Sequence, residues 1–236
     1  HRIDLLSETG IDAVVILSFD ETLARLTARE FVDWVLGDAL GVAGLHEGGN
    51  FRFGFKAEAG VRELAAFGVQ AGFTVTVHDA VHVHSLEVSS SAIRDLVCAG
   101  DMRRARWMLG RPFSVRGFQK RDRGVGSRLL VPTVNLAPCL GLLPAHGVYV
   151  TRLIIAGRPF QSVTNIGNRP TFNGAGFSVE SHILNFQPVE IDETTPLELE
   201  FLLRLREERR FDATEVLKAQ IFKDVARAKR FFALSR

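Results

Sequence analysis

The chain has 236 residues, 46% of them apolar and 24% charged, with a net charge of only +2; these proportions exclude a disordered or collagen-like polymer. No run of about 18 uninterrupted apolar residues and no signal peptide stands out, so no membrane partner is expected and the cytoplasm is the expected location. Cys98 and Cys139 are the only cysteines, which excludes a disulfide framework and argues against a zinc site.

The length suits two domains. All eight prolines lie at or beyond Pro112. Residues 1–111 carry 11 Lys and Arg against 15 Asp and Glu, whereas residues 112–236 carry 18 against 12. Both shifts place a boundary near Gly110, giving domains of residues 1–110 and 111–236.

The first half alternates strand and helix signals. Ala13 to Leu17 is a continuous apolar, β-branched run and predicts a buried strand. Thr27 and Glu30 form a capping box for a helix from Ala28 to Leu36. Phe73 to Val77 predicts another strand. Ser91 is a cap for a helix through Cys98, and Asp101 for one ending near Leu109. His82 and His84 stand two apart on a predicted strand and read as structural or exposed. Such alternation implies an open parallel sheet.

Short strands and turns fill the second half. Val148 to Ile155, a turn at Ala156 to Pro159, Phe160 to Ile166, and Ser178 to Phe186 come first. Leu197 to Arg206 then alternates, with Leu197, Leu199, Phe201, Leu203 and Leu205 sharing one face. A small closed or nearly closed barrel would hide so many edges. A last helix follows, with Asp212 as cap, Glu215 completing the box and Phe211 stapled to Val216. Its stripe of Leu217, Ile221, Val225, Ala228 and Phe232 reads as packing onto the barrel.

Gly124-Val125-Gly126 lies just before Leu129 to Leu136. Glycines let backbone amides approach an anion, and Lys120, Arg121, Arg123 and Arg128 add positive charge, although taken alone the glycines read better as a plain turn and the charges as a solvated surface. Thr133 and Asn135 sit two apart on a strand and so share a face. A hydroxyl and an amide oxygen suit a hard cation such as Mg²⁺; taken alone, they are also two polar residues facing solvent.

Five blocks together form a specific pattern. They are Gly-x-Gly followed by Pro132-Thr133-Val134-Asn135; Pro144 to Tyr149; Val163 to Phe172; Glu180 to Phe186; and Leu205 to Asp212. In this order they closely resemble the riboflavin kinase module. The resemblance implies a six-stranded antiparallel barrel with a C-terminal helix, riboflavin and ATP as substrates, FMN as product rather than prosthetic group, and Mg²⁺ as the metal. It also implies that Thr133 and Asn135 bind Mg²⁺ and the ATP phosphates, with Gly124 and Gly126 nearby. By the same matching Glu180 is the catalytic carboxylate, and Arg206, Glu208 and Phe211 lie near the flavin. Ser127 and Leu130 depart from the Gly-Arg-x-Leu-Gly-Phe-Pro-Thr pattern. That departure keeps a non-catalytic flavin-binding module as the alternative. A nucleic-acid partner would rest only on the basic charge of the second half and is not expected.

Gly49 to Gly54 and Val88 to Arg94 resemble two blocks of the bacterial FMN adenylyltransferase domain that precedes the kinase in FAD synthetases. A partial Rossmann-like α/β nucleotidyltransferase domain is implied. Ser90, Ser91 and Arg94 would then meet ATP phosphates at a helix start, although a serine cluster there is also a simple cap. Ala92 stands where that family usually has arginine. The family's Gly-x-Phe-Asp-Gly-Val-His-x-Gly-His signature has no counterpart, so the chain is expected to be an amino-terminally truncated member that does not itself make FAD.

Overall fold

The computed structural model describes residues 1–120, 133–138, 141–171, 174–185 and 191–235. The chain divides into two compact units, His1–Glu87 and Val88–Arg236.

The first unit is α/β. Helices α1 (Arg2–Ser7) and α2 (Glu21–Arg25) flank a segment in which the expected strand at Ala13 to Leu17 does not form. Val15 and Ile16 are 60% and 71% exposed. An apolar run records what could be buried, but a strand also needs a ladder partner, and none pairs with it among the described residues. Thr27 caps α3 (Ala28–Glu30) as expected: its backbone N–H donates to Glu30 Oε2 at 2.8 Å, and its hydroxyl accepts from the Glu30 N–H at 3.2 Å. The helix continues with π-type bonding through Phe31–Ala39. Strand β1 (Gly44–Gly48), the short pair β2 (Arg52–Phe53) and β3 (Ala59–Gly60), α4 (Val61–Ala71) and β4 (Thr74–His78) follow. β1 and β4 pair in parallel. Ala28, Val32, Leu36, Phe53, Leu64 and Phe73 form the core of this unit.

The expected strand at His82 to His84 is shorter than the sequence suggests. β5 (His82–Val83) and β6 (Leu86–Glu87) form a hairpin whose turn is His84-Ser85, with φ of 48° and 65°. Two positive φ values define the turn that matches strand twist, and they remove His84 from the strand.

The second unit begins with α5 (Ser90–Ala99) and α6 (Met102–Leu109). Ser89, not Ser91, caps α5, its hydroxyl accepting from Ala92 N at 3.2 Å. Asp101 caps α6 as expected, accepting from Arg104 N at 3.0 Å. Six antiparallel strands then close a barrel: β7 (Phe113–Gln119), β8 (Thr133–Pro138), β9 (Gly147–Ile155), β10 (Arg158–Thr171), β11 (Gly174–Ile183) and β12 (Leu197–Arg206), in the spatial order β10-β11-β8-β7-β12-β9. The turn from β9 to β10 is Ala156-Gly157, φ 45° and 82°.

Strand alternation assigns the inside. Val134, Leu136, Leu153, Ile155, Ile166, Val179, Ile183, Leu197, Leu199 and Phe201 face one core, into which Val97, Met102 and Ala105 of the two helices also pack. The alternation expected through Leu205 breaks at a register shift between Phe201 and Leu203. Leu203 and Leu205 therefore turn to the outer face, where with Leu202 they join a second cluster under α7 (Thr214–Leu234) with Val148, Val150, Val163, Ala228 and Phe232. Four buried hydroxyls sit within the barrel wall: Thr151 bonds Ser162 at 2.8 Å and Thr164 at 2.7 Å, and Thr164 bonds Ser181. Each satisfies its neighbour, which removes the cost of burying it unpaired.

Helix α7 begins one residue later than expected. Ala213 occupies the cap without a side-chain bond. Phe211 is not a staple, because Val216 is 55% exposed. Instead its ring lies 5.7 Å from the Arg206 guanidinium and 4.9 Å from that of Arg209. Two cations over one ring outcompete one apolar contact in solvent.

Tyr149, the only tyrosine, is fully buried and donates to Ala145 O. Burial pushes its phenol up to about 12, a rise that the Arg204 charge partly opposes. Because the folded value lies above the ordinary one of about 10, the stabilisation is complete below pH 10 and is lost as pH rises toward 12. An ultraviolet titration should show phenolate near pH 12 in the native chain and near pH 10 in urea; coincident midpoints would refute a buried phenol.

Candidate active site

The outer face of β8 carries Thr133 and Asn135, because Val134 and Leu136 between and beside them point into the core. On β11, Val179 and Ser181 are buried, so Glu180 points outward and is half-buried. The register then decides the geometry. Glu180 is the direct partner of Asn135 on one side and of Asn165 on the other. Residues directly opposite in an antiparallel pair hold their Cβ atoms about 4.5–5.5 Å apart on one face. Thr133 lies two residues from Asn135 and is paired with His182.

The same rung runs further. Asn165 pairs with Val148, and Val148 with Arg206. From Glu180 to Arg206 is three strand spacings, about 14 Å at about 4.8 Å each. At the far end Arg206 Nε donates to Asp224 Oδ2 of α7 at 2.9 Å while its guanidinium stacks on Phe211. Gln220 Nε2 donates to the other Asp224 oxygen at 2.8 Å, and Arg209 donates to Gln220. Asp224 is 2% exposed.

Glu208 reaches back over β10. A Cβ on Gly167 would fall 2.1 Å from Glu208 Oε1, so only glycine admits the carboxylate there. His146 Nδ1 stands 3.7 Å from Glu208 Oε2, and Arg204 Nη2 holds the His146 carbonyl at 2.6 Å. Gly147 carries φ of +155°, and a Cβ there would meet Arg206 O at 2.5 Å. These glycines let the segment Pro144–Tyr149 and the residues after β12 close onto the wall that bears Asn165.

The structure thus brings Thr133, Asn135 and Glu180 onto one face, and Arg206, Glu208 and Phe211 onto the neighbouring strands and the segment leading to α7. Ser90, Ser91 and Arg94 lie elsewhere, in the first turn of α5, where all three are exposed and Arg94 Nη2 donates to Ser91 Oγ at 3.2 Å. Gly124, Gly126, Arg121, Arg123, Ser127, Arg128, Leu130 and Cys139 lie outside the described residues. Two site neighbours escaped the sequence reading. Asn165 sat inside a recognised block, and strand pairing alone gives it a place. Asp224 was hidden because a charge in a helix ordinarily signals solvent.

The donor set fits a hard cation. Thr133, Asn135 and Glu180 offer only oxygens on one face, and among the described residues no group of three or more His, Cys, Asp or Glu stands ready for a softer metal. No helix among the described residues is long and apolar enough to cross a membrane.

Known proteins agree with this architecture. Residues 109–232 match the riboflavin kinase family model, and residues 1–92 the FAD synthetase model. The bifunctional riboflavin kinase/FMN adenylyltransferase of Pseudomonas fluorescens is 38% identical over 96% of this chain and 72% of its own length. That of Haemophilus influenzae is 32% identical over 98% and 75%. The crystal structure of the macrolide-efflux protein from Streptococcus pneumoniae superposes with a TM-score of 0.86 at 25% identity, over 97% of this chain and 73% of that one. With the closed six-stranded barrel and terminal helix in place, residues 109–232 are a riboflavin kinase domain, and the chain belongs to the bifunctional riboflavin kinase/FMN adenylyltransferase family.

Proposed function

We propose that the barrel unit transfers the γ-phosphate of ATP to the 5′-hydroxyl of riboflavin, giving FMN and ADP. The pairing of Glu180 with Asn135 carries this reading, since it sets a carboxylate beside two oxygen donors on one half-buried face. Glu180 accepts the proton of the 5′-hydroxyl as that oxygen bonds to the γ-phosphorus and the bond to the β-γ bridging oxygen breaks, ADP leaving with the electron pair. Thr133 and Asn135 hold Mg²⁺ and the triphosphate, and Gly124 and Gly126 provide amides to the same anion. Bound Mg²⁺ supplies neutralisation of charge on the phosphates. Arg206, Glu208 and Phe211 bind the flavin end, a span along the rung that a ring on a five-carbon polyol bridges. Most of the remaining rate comes from positioning.

The functional division lies near Gly110, with residues 1–110 belonging to the adenylyltransferase part and residues 111–236 to the kinase. Ser90, Ser91 and Arg94 serve nucleotide phosphates in that first part. The reaction takes place in the cytoplasm.

An assay with riboflavin and MgATP, with flavins separated by chromatography, tests this directly. FMN with equimolar ADP is the expected product, abolished by EDTA and restored by excess Mg²⁺. Tight riboflavin binding without turnover would replace the kinase with the flavin-binding alternative.

A further inference from the structure

The β1–β4 ribbon of the first unit carries two imidazoles that flavin phosphorylation does not use. His46 Nδ1 and His78 Nε2 are 2.9 Å apart, with ring centroids at 5.2 Å and planes 23° from parallel. Their placement follows from register. His46 pairs with Thr76 and Gly48 with His78, so both rings stand on one face of neighbouring parallel strands. Leu45 and Val75 point the other way and pack against the core. The remaining residues on the imidazole face are Gly44, Gly48, Thr74 and Thr76, none of them bulky, and both histidines are exposed. Asn50 Oδ1 lies beside this face, 3.3 Å from where a Gly48 Cβ would stand.

We propose that His46 and His78 form a two-imidazole site for a borderline divalent transition-metal ion, Cu²⁺ or Ni²⁺ in preference to Zn²⁺. Imidazole nitrogens bind such ions at about 2.0–2.1 Å. Two donors 2.9 Å apart then subtend about 90° at the ion, the cis angle of square-planar and tetragonal complexes. A tetrahedral ion would need the nitrogens about 3.3 Å apart at those same bond lengths. Ligation moves the ring protons to His46 Nε2 and His78 Nδ1, leaving two neutral rings, while water or the Asn50 amide oxygen completes the coordination. The ion would tie β1 to β4 and so stabilise the sheet of this unit.

The test uses the full chain without an affinity tag and with His1→Ala, because an amino-terminal histidine itself competes for copper. Calorimetric titration with each ion should show one equivalent bound, with affinity in the order Cu²⁺, Ni²⁺, Zn²⁺ and a rise in melting temperature that follows the same order. His46→Gln and His78→Gln should each weaken Cu²⁺ binding about tenfold or more, and His82→Gln should leave it unchanged. Electron paramagnetic resonance of the copper-loaded chain should show coupling to two imidazole nitrogens, a readout that needs no variant to fold. Binding that survives both substitutions, tighter binding of Zn²⁺ than of Ni²⁺, or a copper spectrum without two nitrogens would overturn the site.

Discussion

Glu180→Gln should lower kcat for FMN formation by about 10²–10⁴-fold, the usual loss when a general base is removed. The substitution is close in volume and lies on the outer face, while its neighbours Val179 and Ser181 hold the strand from within. Glutamine keeps the length of the side chain and one acceptor oxygen, so the barrel should stay folded and any loss of stability should be far smaller than the loss of kcat. Riboflavin and ATP should still bind, because the binding groups lie on β8, on β12 and beyond it, so KM should move far less than kcat. That split is the informative part. A kcat within a few-fold of the parent would remove Glu180 from proton transfer, whereas a parallel loss of binding would make it a ligand rather than a base.

Asp224→Ala should strongly destabilise the barrel unit. Asp224 accepts from Arg206 Nε at 2.9 Å and from Gln220 Nε2 at 2.8 Å while almost wholly buried. Removing one partner of such a pair strands the other charge, at a cost of about 3–5 kcal/mol. Urea denaturation should show that loss, with a smaller one for Asp224→Asn, which keeps an acceptor. The effect should also be specific in binding. Arg206 stacks on Phe211, so releasing it should raise KM for riboflavin more than KM for ATP in whatever fraction stays folded. Adding Arg206→Met to Asp224→Ala should recover part of the stability, because the stranded cation is then gone. Equal loss in single and double variants would show that the two side chains are not coupled.

The barrel was legible because its signals are local. Alternation in Leu197–Phe201 and the capping residues Thr27 and Asp101 each act within a few positions and form as the sequence implies, whereas the turn expected at Ala156 to Pro159 tightens to Ala156-Gly157, with Arg158 and Pro159 already paired in β10. The face shared by Thr133 and Asn135 follows from strand period alone. What was not legible depends on partners distant in sequence. No periodicity reveals that Glu180 lies opposite Asn135, 45 positions away, or that a register shift sends Leu203 and Leu205 to the helix side. Ala13 to Leu17 shows the converse, an apolar run with no described neighbour to pair with. Helix starts moved by one or two residues, from Ser91 to Ser89 and from Asp212 to Ala213, because several adjacent polar residues compete for each cap.

The hydroxyls inside the barrel have a bearing on fidelity. Thr164 and Ser181 directly precede and follow Asn165 and Glu180 along their strands, and the two hydroxyls bond each other in the dry interior. If β11 slid by a single residue against β10, every side chain on it would exchange sides. The carboxylate would then be driven among aliphatic groups while Ser181 turned to water, leaving Thr164 with Thr151 as its one remaining hydroxyl partner. Misalignment thus carries two penalties at once, one for a buried anion and one for a lost interior hydrogen bond. The polar seam works as a parity check that permits only the threading in which the acid faces its substrate.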